Sequence, residues 1–479
     1  MINKISRGGM MKKIMKKGKK VMKKGKKTMK SKSELKSGLK KFMSCPKSRA
    51  LWKKAKKLIP GGTQLLSKRS EMFLPENWPS YFEHAKGVEI WDLDGNKYID
   101  MSLMGVSACT LGYADDDVNK AVKAVIDKGS TATLNSPEEV ELAELLIKIH
   151  PWAEMVRYAR SGGEAMAIAV RIARAHTRKD KIAFCGYHGW GDWYIASNLA
   201  DDSNLDGNLM PVLEPRGVPR SLINTAIPFE YNNIESLKKV VKEHDVGVIV
   251  MEPLRHTGPK DDFLKEVRKV ADESKAVLLF DEVSSGWKQN IGGVHLLLGV
   301  NPDIAVFSKA MSNGFPMAAI IGKAEVMDAA QDTFISSTAW TERVGPTAAL
   351  VTIKKMQKNN VPAHLKKIGT MIGKGWEELA KKHSIKLKVM GPEALVTLSF
   401  EYDNKLEILT LFNQEMLKRG FLTSDHVFVS FAHQEEHVKA YLKSVDEAFG
   451  IIGKAIKENK VKDLLEGPVV HRGFKRLVW

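Results

Sequence analysis

The sequence is poor in cysteine. Cys45, Cys109 and Cys185 are the only three in 479 residues, and no CxxC or CxxH spacing occurs. That excludes a disulfide framework and a zinc knuckle and fits a reducing compartment, so a cytoplasmic protein is expected. Long apolar runs are also lacking. The longest, residues 246–251 and 276–280, fall far short of the roughly 18 residues that cross a bilayer, and the N-terminal stretch lacks the apolar core of a signal peptide. Absent too are GxGxxG after a strand, GxxxxGK[ST], GxSxG and HExxH, which removes the usual support for dinucleotide, P-loop, serine-hydrolase and zincin chemistry. Acidic residues are nearly missing from the first tenth of the chain. Residues 1–50 hold 17 Lys and 2 Arg against Glu34 alone, a net +18 of the +19 carried by the whole chain. The other 429 residues carry 56 basic and 55 acidic groups, so a globally basic nucleic-acid-binding fold is excluded.

What is present is an ordinary globular body, 43% apolar and 27% charged over the whole chain, behind a lysine-rich tail. Residues 11–30 repeat Met-Lys-Lys with Gly inside, and the glycines and like-charge repulsion predict disorder over residues 1–50. Weak binding of anionic polymers or membranes is the functional reading of such a tail. Residues 51–110 form an N-terminal segment, 111–345 a large domain and 346–479 a small one. In the large domain, helix-period stretches (116–128, 137–149, 163–177, 234–243, 262–274) alternate with unbroken apolar runs (181–185, 246–251, 276–281, 304–308). Unbroken runs are strands buried on both faces, which predicts an α/β domain with a mostly parallel sheet. Beyond residue 345, long charged helices (347–359, 363–383, 407–419, 435–459) flank short strand-like pieces (386–389, 395–400, 427–430), predicting a smaller α+β domain.

Open α/β sheets hold ligands at the C-terminal ends of their strands, and the residues there carry chemistry. Asp281 closes the run 276–281, where burial of a carboxylate is costly without a partner. Lys309 follows the run 304–308, and in apolar surroundings its amine would lose basicity and become a nucleophile. Ser161-Gly162-Gly163 opens a helix and can expose N–H groups to a phosphate. Tyr187 and His188 follow the run 181–185, placing an aromatic ring at another strand end. Each alone is explained by a strand cap, a solvated lysine, a helix cap or a packed ring. Together they form a phosphate cradle, a stacking ring, a carboxylate and an amine, the set that pyridoxal 5'-phosphate (PLP) requires.

The order of these motifs resembles the class III, fold-type I PLP aminotransferases, most closely the glutamate-1-semialdehyde aminomutase-like branch. The matching pieces are Ile59-Pro-Gly-Gly62, Ile90-Trp-Asp-Leu-Asp-Gly-Asn-Lys-Tyr-Ile-Asp100, Ser161-Gly-Gly-Glu-Ala165, Tyr187-His-Gly189, Met251-Glu-Pro253, Asp281-Glu-Val283, Ser308-Lys-Ala310, Gly314-Phe-Pro316, Gly345-Pro346 and Ser430-Phe-Ala-His433. The resemblance implies that Lys309 forms the Schiff base, Asp281 pairs with the pyridine nitrogen, and Val283 and Tyr187 pack the ring from opposite faces. It gives the phosphate to Ser161, Gly162 and Gly163, although the family often has Thr where Gly163 stands. It places His188 and Glu252 beside the cofactor or substrate, and takes a further phosphate contact from the partner subunit of a homodimer, at Thr341 or, failing that, Thr338. For the substrate, an amino donor or carbonyl acceptor, it points to Lys68 and Arg69, where true semialdehyde aminomutases place an arginine, and to Asp425. The glycine-rich run after the lysine, a mobile gate in the family, reads Met311-Ser-Asn-Gly314. With the cofactor residues retained and the substrate residues changed, transamination is expected ahead of an aminomutase or racemase reaction.

Overall fold

The computed structural model describes residues 44–199, 215–254 and 256–471, and residues 1–43 of the lysine-rich tail lie outside them. The folded body begins inside the span expected to be tail. Helix α1 (Pro46–Leu58) starts on proline, whose missing N–H costs nothing in a first turn, and Asp94 accepts from the N–H groups of Lys47 (3.1 Å) and Ser48 (3.3 Å). Residues 46–50 are therefore helical, anchored by a carboxylate 46 residues downstream of Ser48 that local composition does not reveal.

Strands β1 (Phe82–Lys86), β2 (Glu89–Asp92) and β3 (Lys97–Met101) follow as an antiparallel meander. Helices α2 (Asp116–Ile126) and α3 (Pro137–Ile149) lead into the large domain. Its elements are β4 (Met155–Ala159), α4 (Gly162–Thr177), β5 (Lys181–Cys185), β6 (Ala226–Pro228), α5 (Ile234–Glu243), β7 (Val246–Met251), α6 (Phe263–Ser274), β8 (Val277–Asp281), β9 (Ile304–Phe307) and β10 (Ala318–Gly322). They build a seven-stranded sheet in the order β4-β10-β9-β8-β7-β5-β6, in which β10 alone runs antiparallel to the rest.

Burial on both faces follows strand parity. Val277 and Leu279 join Val248 and Val250 under α4, whereas Leu278 and Phe280 join Ile249 and Met251 against α5 and α6. That period of two also sends Asp281, the next odd residue, to the α4 side, where the phosphate turn begins.

The smaller domain holds α7 (Val344–Lys358), α8 (Val361–Lys382), β11 (Leu387–Met390), β12 (Leu395–Phe400), α9 (Lys405–Leu417), β13 (Phe421–Thr423), β14 (His426–Phe428) and α10 (Glu435–Lys457). Strands β11, β12 and β14 form an antiparallel sheet, while β13 pairs in parallel with β3 and completes the four-stranded sheet β1-β2-β3-β13. The N-terminal meander is thus joined to the small domain by main-chain hydrogen bonds.

Candidate active site

The C-terminal ends of β4, β5, β7, β8 and β9 converge on one crevice. Lys309 follows β9 through Ser308, whose hydroxyl donates to the Met317 carbonyl at 2.9 Å. Its backbone lies at φ 48°, in the left-handed region, which turns the side chain out of the strand direction. The Lys309 amine donates to the Ser284 hydroxyl at 2.7 Å. Burial pulls its pKa below the ordinary lysine range, and Asp281 and Glu252 are near enough to oppose that shift in part.

Asp281 is 5% exposed and held from two sides. Its Oδ1 accepts from the Val283 N–H at 3.0 Å, and Oδ2 faces His188 Nδ1 at 2.9 Å. The other ring nitrogen of His188, Nε2, lies 3.1 Å from the Cys185 carbonyl, so the carboxylate is fixed to the end of β5 through an imidazole with no freedom to turn. Glu252, just past β7, accepts from the Tyr187 N–H at 3.1 Å. It occupies the space a Cβ on Gly186 would need, and Gly186 has a φ of +116°. The Tyr187 ring, 49% exposed, is presented into the crevice by this turn. Burial raises its phenol pKa, and Asp281 and Glu252 add to the shift.

Helix α4 begins where β4 ends. Ser161 and Glu164 form a reciprocal cap: the serine hydroxyl accepts from the Glu164 N–H at 3.4 Å, and Glu164 Oε2 accepts from the Ser161 N–H at 2.9 Å. The Ser161 hydroxyl also donates to that carboxylate at 3.0 Å, so it serves the helix start. The N–H groups of Gly162 and Gly163, the first two of the helix, have no intrahelical acceptor and face the positive end of the dipole. The turn is closely covered. A Cβ on Gly162 would meet Val283 Cγ1 at 2.9 Å, and one on Gly163 would meet Trp190 Nε1 at 2.6 Å. A side chain at position 163 would have to displace the indole.

Four features of the crevice escaped the sequence reading. Ser284 binds Lys309 through its hydroxyl, and its carbonyl accepts from the amine of Lys288 at 2.5 Å. Lys288 is buried beside Lys309 and is held well below ordinary lysine basicity by burial, with Lys309 adding to the effect. Beneath them Glu282 is fully buried, accepting from His295 Nδ1 (2.8 Å) and the Ser285 hydroxyl (2.7 Å). Burial alone would raise the Glu282 pKa; these bonds outweigh it and hold it below the usual carboxylate value. Arg160 ties the turn after residue 337 to β4, donating to the carbonyls of Trp340 and Glu342 at 2.8 Å each. Arg160 directly precedes the Ser161 motif, and Glu282 to Lys288 overlap and follow the Asp281 motif, but neither motif shows what these side chains touch.

Other expected residues stand apart. Thr338 and Thr341 are exposed on a short 3-10 turn, where the Thr341 hydroxyl donates to the Thr338 carbonyl at 2.8 Å. Arg69 packs its guanidinium over Gly61, and burial lowers its pKa. Lys68 approaches Cys109, whose thiol is pushed up to about 11 by burial against the opposing pull of this lysine. Asp425 lies between β13 and β14, lining a cleft of about 210 Å³ with small-domain residues including Phe400 and Lys405, away from the Lys309 crevice. The run Met311–Gly314 is packed where a mobile gate was expected. Met311 and Ser312 are fully buried, and the Asn313 side chain accepts from Leu111 N–H at 2.8 Å and donates to the Gly112 carbonyl at 3.0 Å.

The arrangement fits PLP: a buried amine of low basicity, a fixed carboxylate, rings to pack the cofactor, and a helix start with two unsatisfied N–H groups for the phosphate. Comparison with known proteins agrees. The chain is 31% identical over 437 residues to a glutamate-1-semialdehyde 2,1-aminomutase of Thermodesulfovibrio yellowstonii, covering 86% of this chain and all of that one. It is 29% identical over 425 residues to a 3-aminobutyryl-CoA aminotransferase of Cloacimonas acidaminovorans, covering 86% of this chain and 98% of the relative. Among solved structures, the FumI protein of Sphingopyxis sp. MTA144 in its PLP internal aldimine form matches with a TM-score of 0.78 at 26% identity, over 86% of this chain and 97% of that one. The model of the family "Aminotransferase class-III" matches residues 75–448, and with the crevice described above this places the chain in that family, as a fold-type I, PLP-dependent aminotransferase.

Proposed function

We propose that this aminotransferase moves an amino group between a small-molecule amine and a carbonyl acceptor in two half-reactions with exchange of product for substrate. Isomerisation of one retained substrate, by an aminomutase or racemase, is the secondary reading. The observation that carries the preference is the position expected to receive a substrate carboxylate. Lys68 stands there in place of an arginine, and the neighbouring Arg69 is packed over Gly61. A lysine meets a carboxylate as a point charge without the bidentate fork of a guanidinium, so the site is not built around one fixed carboxylate geometry.

When bound, PLP supplies an electron-poor ring that takes up the electron pair left as a substrate C–H bond ionises. The chain's own residues do the rest. Lys309, less basic than ordinary lysine and directed by Ser284, takes the proton from the substrate carbon and returns it on the other side of the transfer. Asp281, immobilised by His188 and the Val283 N–H, keeps negative charge at the place of the pyridine nitrogen. Tyr187 would cover one face of the bound ring and Val283 the other, and the α4 start would hold the phosphate.

The same reading makes the active unit a homodimer whose partner supplies the Thr341 or Thr338 contact. Support comes from surface chemistry. Both threonines are exposed, and large apolar side chains are exposed on the same stretches of chain: Phe334 (86% exposed), four residues before Thr338, and Leu134 (83% exposed), four residues after Ser130, whose carbonyl accepts from the Arg343 N–H at 3.0 Å. The +18 of residues 1–50 supports weak, salt-sensitive binding of polyanions. No helix among the described residues is long and apolar enough to cross a membrane, and we place the enzyme in the cytoplasm on its free cysteines.

The test supplies each candidate amine to purified holoenzyme without any acceptor. A transaminase releases one equivalent of carbonyl product per site and stops until an acceptor is added. Conversion of glutamate-1-semialdehyde to an isomer that keeps both its amine and its carbonyl, with no deaminated product released, would establish the mutase instead.

A further inference from the structure

Helix α4 offers the cofactor phosphate two main-chain N–H groups, and the residue that could add a side-chain donor, position 163, is a glycine. The space its side chain would fill is not empty. An ideal Cβ on Gly163 would lie 2.6 Å from Trp190 Nε1, 3.1 Å from Cδ1 and 3.3 Å from Cε2, so the polar edge of the indole occupies the place of that side chain. The approach is set by the preceding turn. Gly189, at φ +95°, presses against Gly163 so closely that a Cβ on it would lie 3.3 Å from the Gly163 Cα. Any other residue at 189 would be strained by its φ and would lift the indole away.

Trp190 is otherwise unexplained. It is 71% exposed, so its ring is not held by core packing, and its N–H donates to no protein group among the described residues. An indole N–H can only donate, and this one lies with its donor edge against a helix start, where a bound phosphate would offer it an acceptor in place of solvent. Among the described residues the nearby carboxylate, Glu164, is taken up by Ser161 and by the Arg160 N–H at 3.2 Å.

We propose that the Trp190 indole N–H is a third donor to the PLP phosphate, replacing a side chain at position 163, and that its ring shields the phosphate from solvent. The proposal rests on the cofactor and is independent of the substrate. It predicts a paired constraint: a side chain at 163 and an indole at 190 exclude each other.

The experiment measures equilibrium binding of PLP, and separately of phosphate-free pyridoxal, to apoenzyme. Trp190→Phe keeps an aromatic ring and removes the N–H. PLP should then bind about tenfold or more weakly, the effect of one hydrogen bond to a charged group, while pyridoxal binding is unchanged. Gly163→Thr should weaken PLP binding in the parent and strengthen it in a Trp190→Ala background, where the hydroxyl can reach the phosphate. Unfolding midpoints identify any variant whose fold is damaged; Trp190 is exposed, so its replacement leaves no cavity. Equal PLP affinity in Trp190→Phe, or equal losses for PLP and pyridoxal, would overturn the proposal. So would a Gly163→Thr penalty of the same size in both backgrounds.

Discussion

Lys309 combines a left-handed backbone, a buried amine and a hydroxyl partner, and each bears on what its replacement does. Lys309→Ala removes the group that carries the proton but leaves the α4 start intact. We expect PLP to stay bound non-covalently and turnover to fall by several orders of magnitude. Borohydride reduction of the parent and peptide mapping should place the label on Lys309, and a label on Lys288 would reverse the assignment. Asp281→Asn keeps the shape and loses the charge. Its kcat should fall about a hundredfold or more, near 3 kcal/mol of lost transition-state stabilisation, with a modest change in PLP affinity. Equal turnover would reduce Asp281 to a structural cap. These two residues were legible in the sequence because each directly follows an unbroken apolar run. Ser284, Lys288 and Trp190 were not, since their roles depend on turns that bring a carbonyl, a hydroxyl or an indole edge to one point, and no periodicity encodes that.

Elements with strong periodicity were the most readable. Helices α8 and α10 and the strands β5, β7, β8 and β9 lie within a few residues of their expected spans, because burial of a helical stripe or of both strand faces leaves a regular apolar pattern. Strands β1 and β10 were missed for opposite reasons. β1 (sequence FEHAK) is exposed along nearly its whole length, while β10 (AAIIG) is a buried run too short for periodicity to tell a strand from a helix segment. At this scale α8 provides a test of sign. Glycine inside a helix ordinarily costs about 1 kcal/mol relative to alanine. A Cβ on Gly369, however, would lie 1.7 Å from the Glu393 carbonyl oxygen, main chain that cannot step aside. Gly369→Ala should therefore lower stability by about 1–3 kcal/mol. Gly373→Ala meets only side-chain methyls of Val389 (3.3 Å) and Val396 (3.4 Å) and should be nearly neutral. Thermal unfolding of the two variants side by side decides it; a stabilised Gly369→Ala protein would refute the close approach.

For the molecule as a whole, two buried histidines set the acid limit. His433 Nδ1 accepts from the Ser430 N–H at 3.0 Å and its Nε2 donates to the Asp100 carbonyl at 2.8 Å. His150 Nε2 accepts from the Gly293 N–H at 3.0 Å while Nδ1 donates to the Leu146 carbonyl at 2.9 Å. Both rings are thereby fixed neutral, and burial lowers each pKa to about 4. The unfolded chain takes up these protons near pH 6.5 and the folded one only near 4. Between those values the unfolded state binds more protons, so stability falls as pH falls, by about 3 kcal/mol per histidine across the window, and is unaffected by them above it. Urea midpoints from pH 7 to 4.5 should drop accordingly, and a His150→Gln, His433→Gln double variant should flatten the slope; an unchanged slope would refute it. The tail provides a second test. Deleting residues 1–43 should leave kcat unaltered and abolish salt-sensitive retention on anionic vesicles. Unchanged retention would refute the polyanion reading.

The parallel pairing of β3 with β13 also has a cost during synthesis. The hydrogen-bonding edge of Lys97–Met101 waits for Phe421–Thr423, which emerges about 320 residues later. At about 5–20 residues per second that is roughly 16–64 s in which a nascent strand edge has no native partner. The large domain can close its own sheet in that interval, since all seven of its strands lie between residues 155 and 322. The N-terminal meander cannot, and until the last quarter of the chain arrives it is the part of the protein most in need of a chaperone.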